Sequence, residues 1–191
     1  AELRRELTQL HLAKDGKTGG ARAAVLARLK DLLNCARETA RQQLDADGNG
    51  LKCAAGLSRF ADELIHLVFD YTVFHAYPSG NPSSAKHMAV VATGGYGRGL
   101  LAPRSDIDLL FLIPYKQTPW GESVVEHMLY LLWDLKLKVG HAVRTVEQCL
   151  RLAEEDMTIR TALLDARMIL GSETLFRDLQ RRFRDEVIRR T

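Results

Sequence analysis

Residues 93–114 read Thr93-Gly-Gly-Tyr-Gly-Arg-Gly-Leu-Leu-Ala-Pro-Arg-Ser-Asp-Ile-Asp-Leu-Leu-Phe-Leu-Ile-Pro114, and this stretch decides the fold. A glycine-rich turn is followed by Ser105-Asp106-Ile107-Asp108, which enters an apolar run ending at Ile113. A run so continuously apolar predicts a strand over 107–113 buried on both faces. Asp106 and Asp108 are i and i+2, so in extended chain they project from one face, about 7 Å apart at Cα. From that spacing both side chains can converge on hard, oxygen-preferring ions such as Mg²⁺. Two such ions about 3.5–4 Å apart stabilise the attacking and leaving oxygens of an in-line phosphoryl displacement. Folding itself supplies no reason for the acids, because a carboxylate at the mouth of a buried strand costs free energy unless paired or metal-bound.

The glycines upstream complete the pattern. Gly94 and Gly95 open a turn in which backbone can approach a phosphate chain closely. A turn leading into a helix N-terminus presents N–H groups to anionic oxygens. Ser105 adds a hydroxyl donor, and Arg98 or Arg104 can balance phosphate charge. Rival phosphate loops fit worse. No Gly-x-x-x-x-Gly-Lys-Ser/Thr occurs. A dinucleotide fingerprint starting at Gly95 would need its third glycine where Leu100 stands. The lysine strand, His-Arg-Asp and Asp-Phe-Gly of a kinase are missing. The chemistry these residues suggest is nucleotidyl transfer.

Working outward, apolar residues at Val25, Leu26, Leu29, Leu32, Leu33 and Ala36 predict a helix from Ala21 to about Gln43, after a short helix over 1–13 and a turn cluster over 14–20. Asp45–Gly50 is read as a break, and a second long helix is expected over 57–76. The segment Tyr77–Lys86, rich in Pro and Ser, reads as a loop and the best boundary. A strand over 87–92 precedes the glycine turn. A helix over 122–137 is expected to turn Val125, Leu129, Leu132 and Trp133 inward, before a strand over Val139–Thr145. From Val146 onward the chain is read as helical, ending in a helix over 172–190 with Leu175, Leu179, Phe183, Val187 and Ile188 as its apolar stripe. The expectation is an α+β fold: a small mixed β-sheet core (87–171) between an N-terminal helical region (1–86) and a C-terminal helix (172–191).

Composition narrows the class. The 191 residues suffice for one good core. A net charge of +3 is too small to imply nucleic-acid binding. No run of about 18 apolar residues suggests a membrane span, and the first residues carry no signal-like apolar stretch. Cys35, Cys53 and Cys149 form no Cys-x-x-Cys pair, which fits reduced thiols in a cytoplasmic protein.

The Gly-Gly turn with Asp-x-Asp about ten residues on resembles the signature of the DNA polymerase beta-like nucleotidyltransferase superfamily. The finer wording, GGYGRG (94–99) and LAPRSDIDLLFLIPYK (101–116), is more similar to the bifunctional PII uridylyltransferase/uridylyl-removing enzymes. LLWDLKLKVGHAVRT (131–145) and TALLDARMILG (161–171) agree, so the likeness is strong over residues 88–171. The resemblance implies transfer of UMP from UTP to a tyrosine hydroxyl of the PII nitrogen-signalling protein, with Mg²⁺ and release of pyrophosphate. By that likeness Gly94 and Gly95 hold the phosphates, and Asp106 and Asp108 hold the metals. Related enzymes transfer AMP, so the motif leaves the base open. The resembled enzymes also carry an HD phosphohydrolase domain and ACT domains. Neither is recognisable here, so a fragment is expected, without uridylyl removal or glutamine sensing.

The wider superfamily places a third carboxylate on a later strand. The corresponding strand here, 139–145, has no acid but carries His141, as the resembled subfamily does. One reading has His141 facing the site and orienting or deprotonating the incoming hydroxyl. The other has it satisfied by backbone or by Asp134. Arg144, Asp165 and Arg167 are weaker candidates, and salt bridges suit the arginines better than phosphate. Asp165 and Arg167, read as i and i+2 of a helix, must each find a different partner. Asp45–Gly50 resembles the start of a calcium loop, but Gly56 stands where the bidentate Glu belongs. The arginine-rich C-terminal helix reads as a solvated face. Two alternatives stay open: a nucleotidyltransferase for another protein or a small molecule, and a nucleotide-sensing module that does not transfer.

Overall fold

The computed structural model describes residues 2–13, 18–78, 87–115 and 118–189. Four short strands form one sheet: β1 (Ala89–Ala92), β2 (Ile107–Ile113), β3 (Val139–Thr145) and β4 (Arg167–Gly171). Their spatial order is β3-β2-β1-β4. β1 runs antiparallel to both β2 and β4, whereas β2 and β3 are parallel. The mixed sheet between helices is the α+β architecture expected from the sequence.

Alternation along β2 divides the interior into two cores. Ile107, Leu109, Phe111 and Ile113, with Val90 and Ala92 of β1, join the first. There they meet α1 (Glu2–Leu12), α2 (Thr18–Asp47), α3 (Gly50–Tyr71) and α5 (Pro119–Asp134). Leu110 and Leu112, with Ala89 and Val91, face the second core, built from α6 (Val146–Glu155), α7 (Met157–Leu164) and α8 (Glu173–Arg182). Both faces of the two central strands are therefore covered, which is why β1 and β2 read as unbroken apolar runs. The N-terminal helices share one continuous core with the sheet. Phe111 is wholly buried in it, and its truncation to Ala would cost about 3–5 kcal/mol.

Local signals fix the helix starts. Thr118 accepts from the Gly121 amide at 3.1 Å with Pro119 in the first turn, so α5 begins three residues before the expected start. Thr145 and Gln148 form a reciprocal capping box that ends β3 and starts α6. Asp156 caps α7 and Ser172 caps α8. Residues 183–188 continue the last helix as a π-helical turn.

Several expectations change. The stretch read as helical from Val146 onward contains a strand, β4, which pairs with β1. A five-residue Arg-Met-Ile-Leu-Gly run is too short for periodicity to separate strand from helix. Trp133 is 41% exposed rather than inward. Its ring makes T-shaped contacts with Tyr130 and His141 instead. The break over 45–50 narrows to Gly48 and Asn49, because Asp47 still belongs to α2 and Asn49 caps α3. Of the turn expected over 14–20, residues 18–20 are helical and 14–17 lie outside the described residues. So do residues 79–86 of the expected boundary loop.

Candidate active site

The glycine turn links β1 to β2. Gly94–Gly97 forms a single helical turn, α4, entered through extended Thr93. The Thr93 amide donates to the Asp108 carbonyl at 3.0 Å, so the turn and the acid-bearing strand are fastened together at their mouths. Gly94 has φ +57°, a conformation that costs other residues about 1–2 kcal/mol. A Cβ added at Gly94 would stand 3.2 Å from Asp108 Oδ2. On the other side Gly140, the register partner of Asp108 on β3, would collide with Oδ1 if it carried a Cβ. The Asp108 carboxylate thus occupies a slot between two glycines on flanking elements. Gly140 was not singled out from sequence; the available signal was a glycine inside a strand, which often marks close approach.

No described donor or cation reaches the Asp108 carboxylate. Burial, and then the neighbouring Asp106 charge, push its carboxyl above the usual carboxylate range. Asp106 is exposed, with Lys138 Nζ at 3.8 Å. Two like charges with no strong partner at the open end of a strand suit a hard divalent ion, which Asp106 and Asp108 could hold. Among the described residues, no third His, Cys, Asp or Glu completes a preformed metal cluster.

The remaining candidates divide. Arg98 Nη1 donates to Asp165 Oδ2 at 2.5 Å, which keeps an exposed guanidinium at the C-terminal end of the glycine turn. Gly95 lies beside that guanidinium. Ser105 is exposed, and its amide donates to the Ala102 carbonyl at 3.0 Å. His141 does not join the carboxylates. It is level with Leu109, on the face where Val139 and Val143 pack into the first core, and its ring lies 6.1 Å from that of Trp133. Asp108 points with Leu110, toward the side where Ala142 packs. The strand that resembled the family's third-acid strand therefore turns His141 to the other face, against the reading in which it approaches the site. Asp134, its suggested partner, pairs with Arg22 instead.

Arg167 finds a structural partner. It binds Asp62 of α3 through two bonds of 2.8 and 3.0 Å, while Tyr96 donates to the same carboxylate at 2.5 Å. Arg167 also donates to the Gly97 and Tyr96 carbonyls at 3.3 and 3.4 Å, and its guanidinium lies over the Tyr96 ring, 5.4 Å from the centroid. Asp165 and Arg167 do have different partners, though Arg167 is on a strand. This network clamps the back of the glycine turn to α3 and β4. A Cβ at Gly97 would strike the Asp165 carbonyl, so the turn also packs tightly on the end of α7.

The glycine turn is braced from behind and stands beside the two acids at the mouth of β2, and residues 83–167 match the family model described as a nucleotidyltransferase domain. Over those residues the chain is similar to the nucleotidyltransferase domain, and the matched span includes the glycine turn and the Asp106–Asp108 pair. More particularly, it is similar to two proteins from Caulobacter vibrioides, of strains NA1000 / CB15N and ATCC 19089 / CIP 103742 / CB 15. Both are described as bifunctional uridylyltransferase/uridylyl-removing enzyme, and each is 48% identical over 189 residues, 99% of this chain. The chain spans 20% of the length of these curated relatives. The resemblance read from the motifs is borne out. Among the described residues, no helix is long and apolar enough to cross a membrane.

Proposed function

We propose that the chain transfers UMP from UTP to a tyrosine hydroxyl of the PII nitrogen-signalling protein, in the cytoplasm. The observation that carries this reading is the Asp106–Asp108 pair beside the braced glycine turn, in a chain 48% identical to relatives named uridylyltransferases. A bond forms from the tyrosine oxygen to the α-phosphorus while the bond from that phosphorus to the oxygen bridging to the β-phosphate breaks. Pyrophosphate leaves in line. Asp106 and Asp108 would hold Mg²⁺, which when bound neutralises charge on the phosphate oxygens and on the departing pyrophosphate.

The chain's own residues supply the positioning. The opening amides of a helical turn have no acceptor within it, so those at Gly94 and Gly95 are suited to phosphate oxygens, with Ser105 as a further donor. The Asp165 contact holds Arg98 where its remaining N–H groups face solvent and an incoming triphosphate. The hydroxyl proton needs an acceptor on the Asp108 side of the sheet. With His141 on the other side, we assign that role to the carboxylate pair. The proposal covers transfer alone; uridylyl removal, the other activity in the relatives' name, is not part of it.

The test is incubation of the chain with Mg²⁺, PII and each of four nucleoside triphosphates labelled at the α-phosphate. Label from UTP on a PII tyrosine is the expected result. Label from ATP alone would change the base, and label appearing only on another acceptor would remove PII from the account. Nucleotide binding with no pyrophosphate release from any of the four would favour a sensing module.

A further inference from the structure

On the first-core side of the sheet, away from the Asp108 slot, lies a cavity of about 530 Å³. That volume falls within the range of small-molecule sites, about 300–1,000 Å³. Leu33, Leu57, Phe60, Leu101, Ile107 and Leu137 give it apolar walls. Its charged residues are all of one sign: Arg37, Arg41, Arg104, Lys136 and Lys138, with no carboxylate among the described lining residues. Arg41 is neutralised by Glu38 and Asp45, and Lys138 lies near Asp106. Arg37, Arg104 and Lys136 have no ion-pair partner among the described residues.

Two of these cations stand at unusual backbone positions. Arg104 has φ +65° and Lys136 φ +59°, and they are the non-glycine residues of positive φ among those described. Lys136 follows the end of α5, where glycine or asparagine is the usual choice. Arg104 follows Pro103 in a turn closed by the bond from the Ser105 amide to the Ala102 carbonyl, where glycine is again the least costly residue. Both positions instead carry long cations, and both border the same cavity. Like charges lining one apolar hollow repel one another, and an anion among them relieves that repulsion.

We propose that this cavity binds a small amphipathic anion, an apolar body filling the Leu and Phe walls with one carboxylate, sulfonate or phosphate group at the Arg37, Arg104 and Lys136 rim. One wall, Leu101–Ser105, runs directly into Asp106, so an occupant stands where it bears on the placement of that carboxylate.

The probe is 8-anilinonaphthalene-1-sulfonate, titrated into the full chain by fluorescence beside uncharged N-phenyl-1-naphthylamine, which has the same aromatic body. One saturable site is expected, at least about tenfold tighter for the sulfonate. Arg37→Gln combined with Lys136→Gln should weaken sulfonate binding about fivefold or more and leave the neutral probe unchanged. Ala40→Trp, which fills the cavity from α2, should abolish saturable binding of both. Neither Arg37 nor Lys136 belongs to the carboxylate and glycine machinery, so Mg²⁺-dependent UTP binding should persist in the Arg37/Lys136 variant. Loss of UTP binding in the unaltered chain would count against the proposed transfer reaction and leave this site standing. Equal affinity for the two probes, non-saturable binding, or sulfonate affinity unmoved by the Arg37/Lys136 change would overturn the proposal. A protein that ignores the sulfonate but binds an acidic peptide would also overturn it. If Ala40→Trp fails to fold, the Arg37/Lys136 comparison decides alone.

Discussion

Asp62 and Asp108 are both partly buried carboxylates near the glycine turn, and they live in opposite circumstances. Asp62 receives two bonds from Arg167 and one from Tyr96. Asp108 sits between Gly94 and Gly140 with no described donor, and its carboxyl is pushed above the usual range. The first acid is fully answered by the fold and braces the turn from behind. The second is left unanswered on the side where a cation and phosphates would enter. On the proposed function the first acid serves stability and the second serves chemistry, since an unpaired buried charge is retained only where something else compensates it.

The largest expected effect comes from exchanging the two roles. Asp108→Asn should lower uridylyl transfer by about 10³-fold or more, on the scale of lost charge stabilisation in a transition state, while thermal stability holds or rises. Asp62→Ala should do the reverse in kind. It removes the carboxylate that Arg167 and Tyr96 share and should cost about 2–3 kcal/mol in denaturant unfolding, below the value for fully buried pairs because solvent still reaches this one. An Asp62→Ala protein of unchanged stability would break the comparison.

Gly140→Ala tests the slot itself. The added methyl meets the Asp108 carboxylate, and displacement of a catalytic group by about 1 Å can cost about 10²-fold. Transfer should fall by about that factor with little loss of secondary structure by circular dichroism. An active Gly140→Ala enzyme would show that Asp108 need not lie where the structure holds it.

A smaller effect is expected in the pH dependence of stability. The Asp108 carboxyl is raised in the folded chain, so its stabilising contribution is complete below the unfolded value of about 3.8 and is lost as pH rises through the folded one. Without divalent ions, wild type should therefore lose stability relative to Asp108→Asn between about pH 4 and neutrality. Mg²⁺ should raise the Tm of wild type at neutral pH, by mass action on the folded state, and leave Asp108→Asn unmoved. Parallel pH curves for the two proteins would contradict the unpaired state of Asp108.

The smallest expected effect is that of His141→Ala, whose kcat should stay within about twofold of wild type. A loss of tenfold or more would return the histidine to the mechanism and require it to reach across the sheet edge.

Much of this was legible in the chain. The glycine turn, the Asp-x-Asp pair and the apolar β2 run are local patterns, and local patterns survive into the fold. The mixed sheet between helices followed from them. What escaped was non-local. β4 is only five residues, and its partner β1 lies nearly eighty positions away in sequence. The Asp62–Arg167 bridge spans 105 positions. Gly140 gains its meaning only from the register that sets it beside Asp108. The same register turns His141 away, because alternation sends neighbouring residues to opposite faces.

The most direct measurement of the central claim is single-turnover pyrophosphate release from UTP, with Mg²⁺ and PII, by wild type, Asp106→Asn and Asp108→Asn side by side. The account predicts release by wild type that depends on Mg²⁺ and a fall of about 10³-fold in both variants, with their folded structure intact. Release at the wild-type rate by either variant would contradict it.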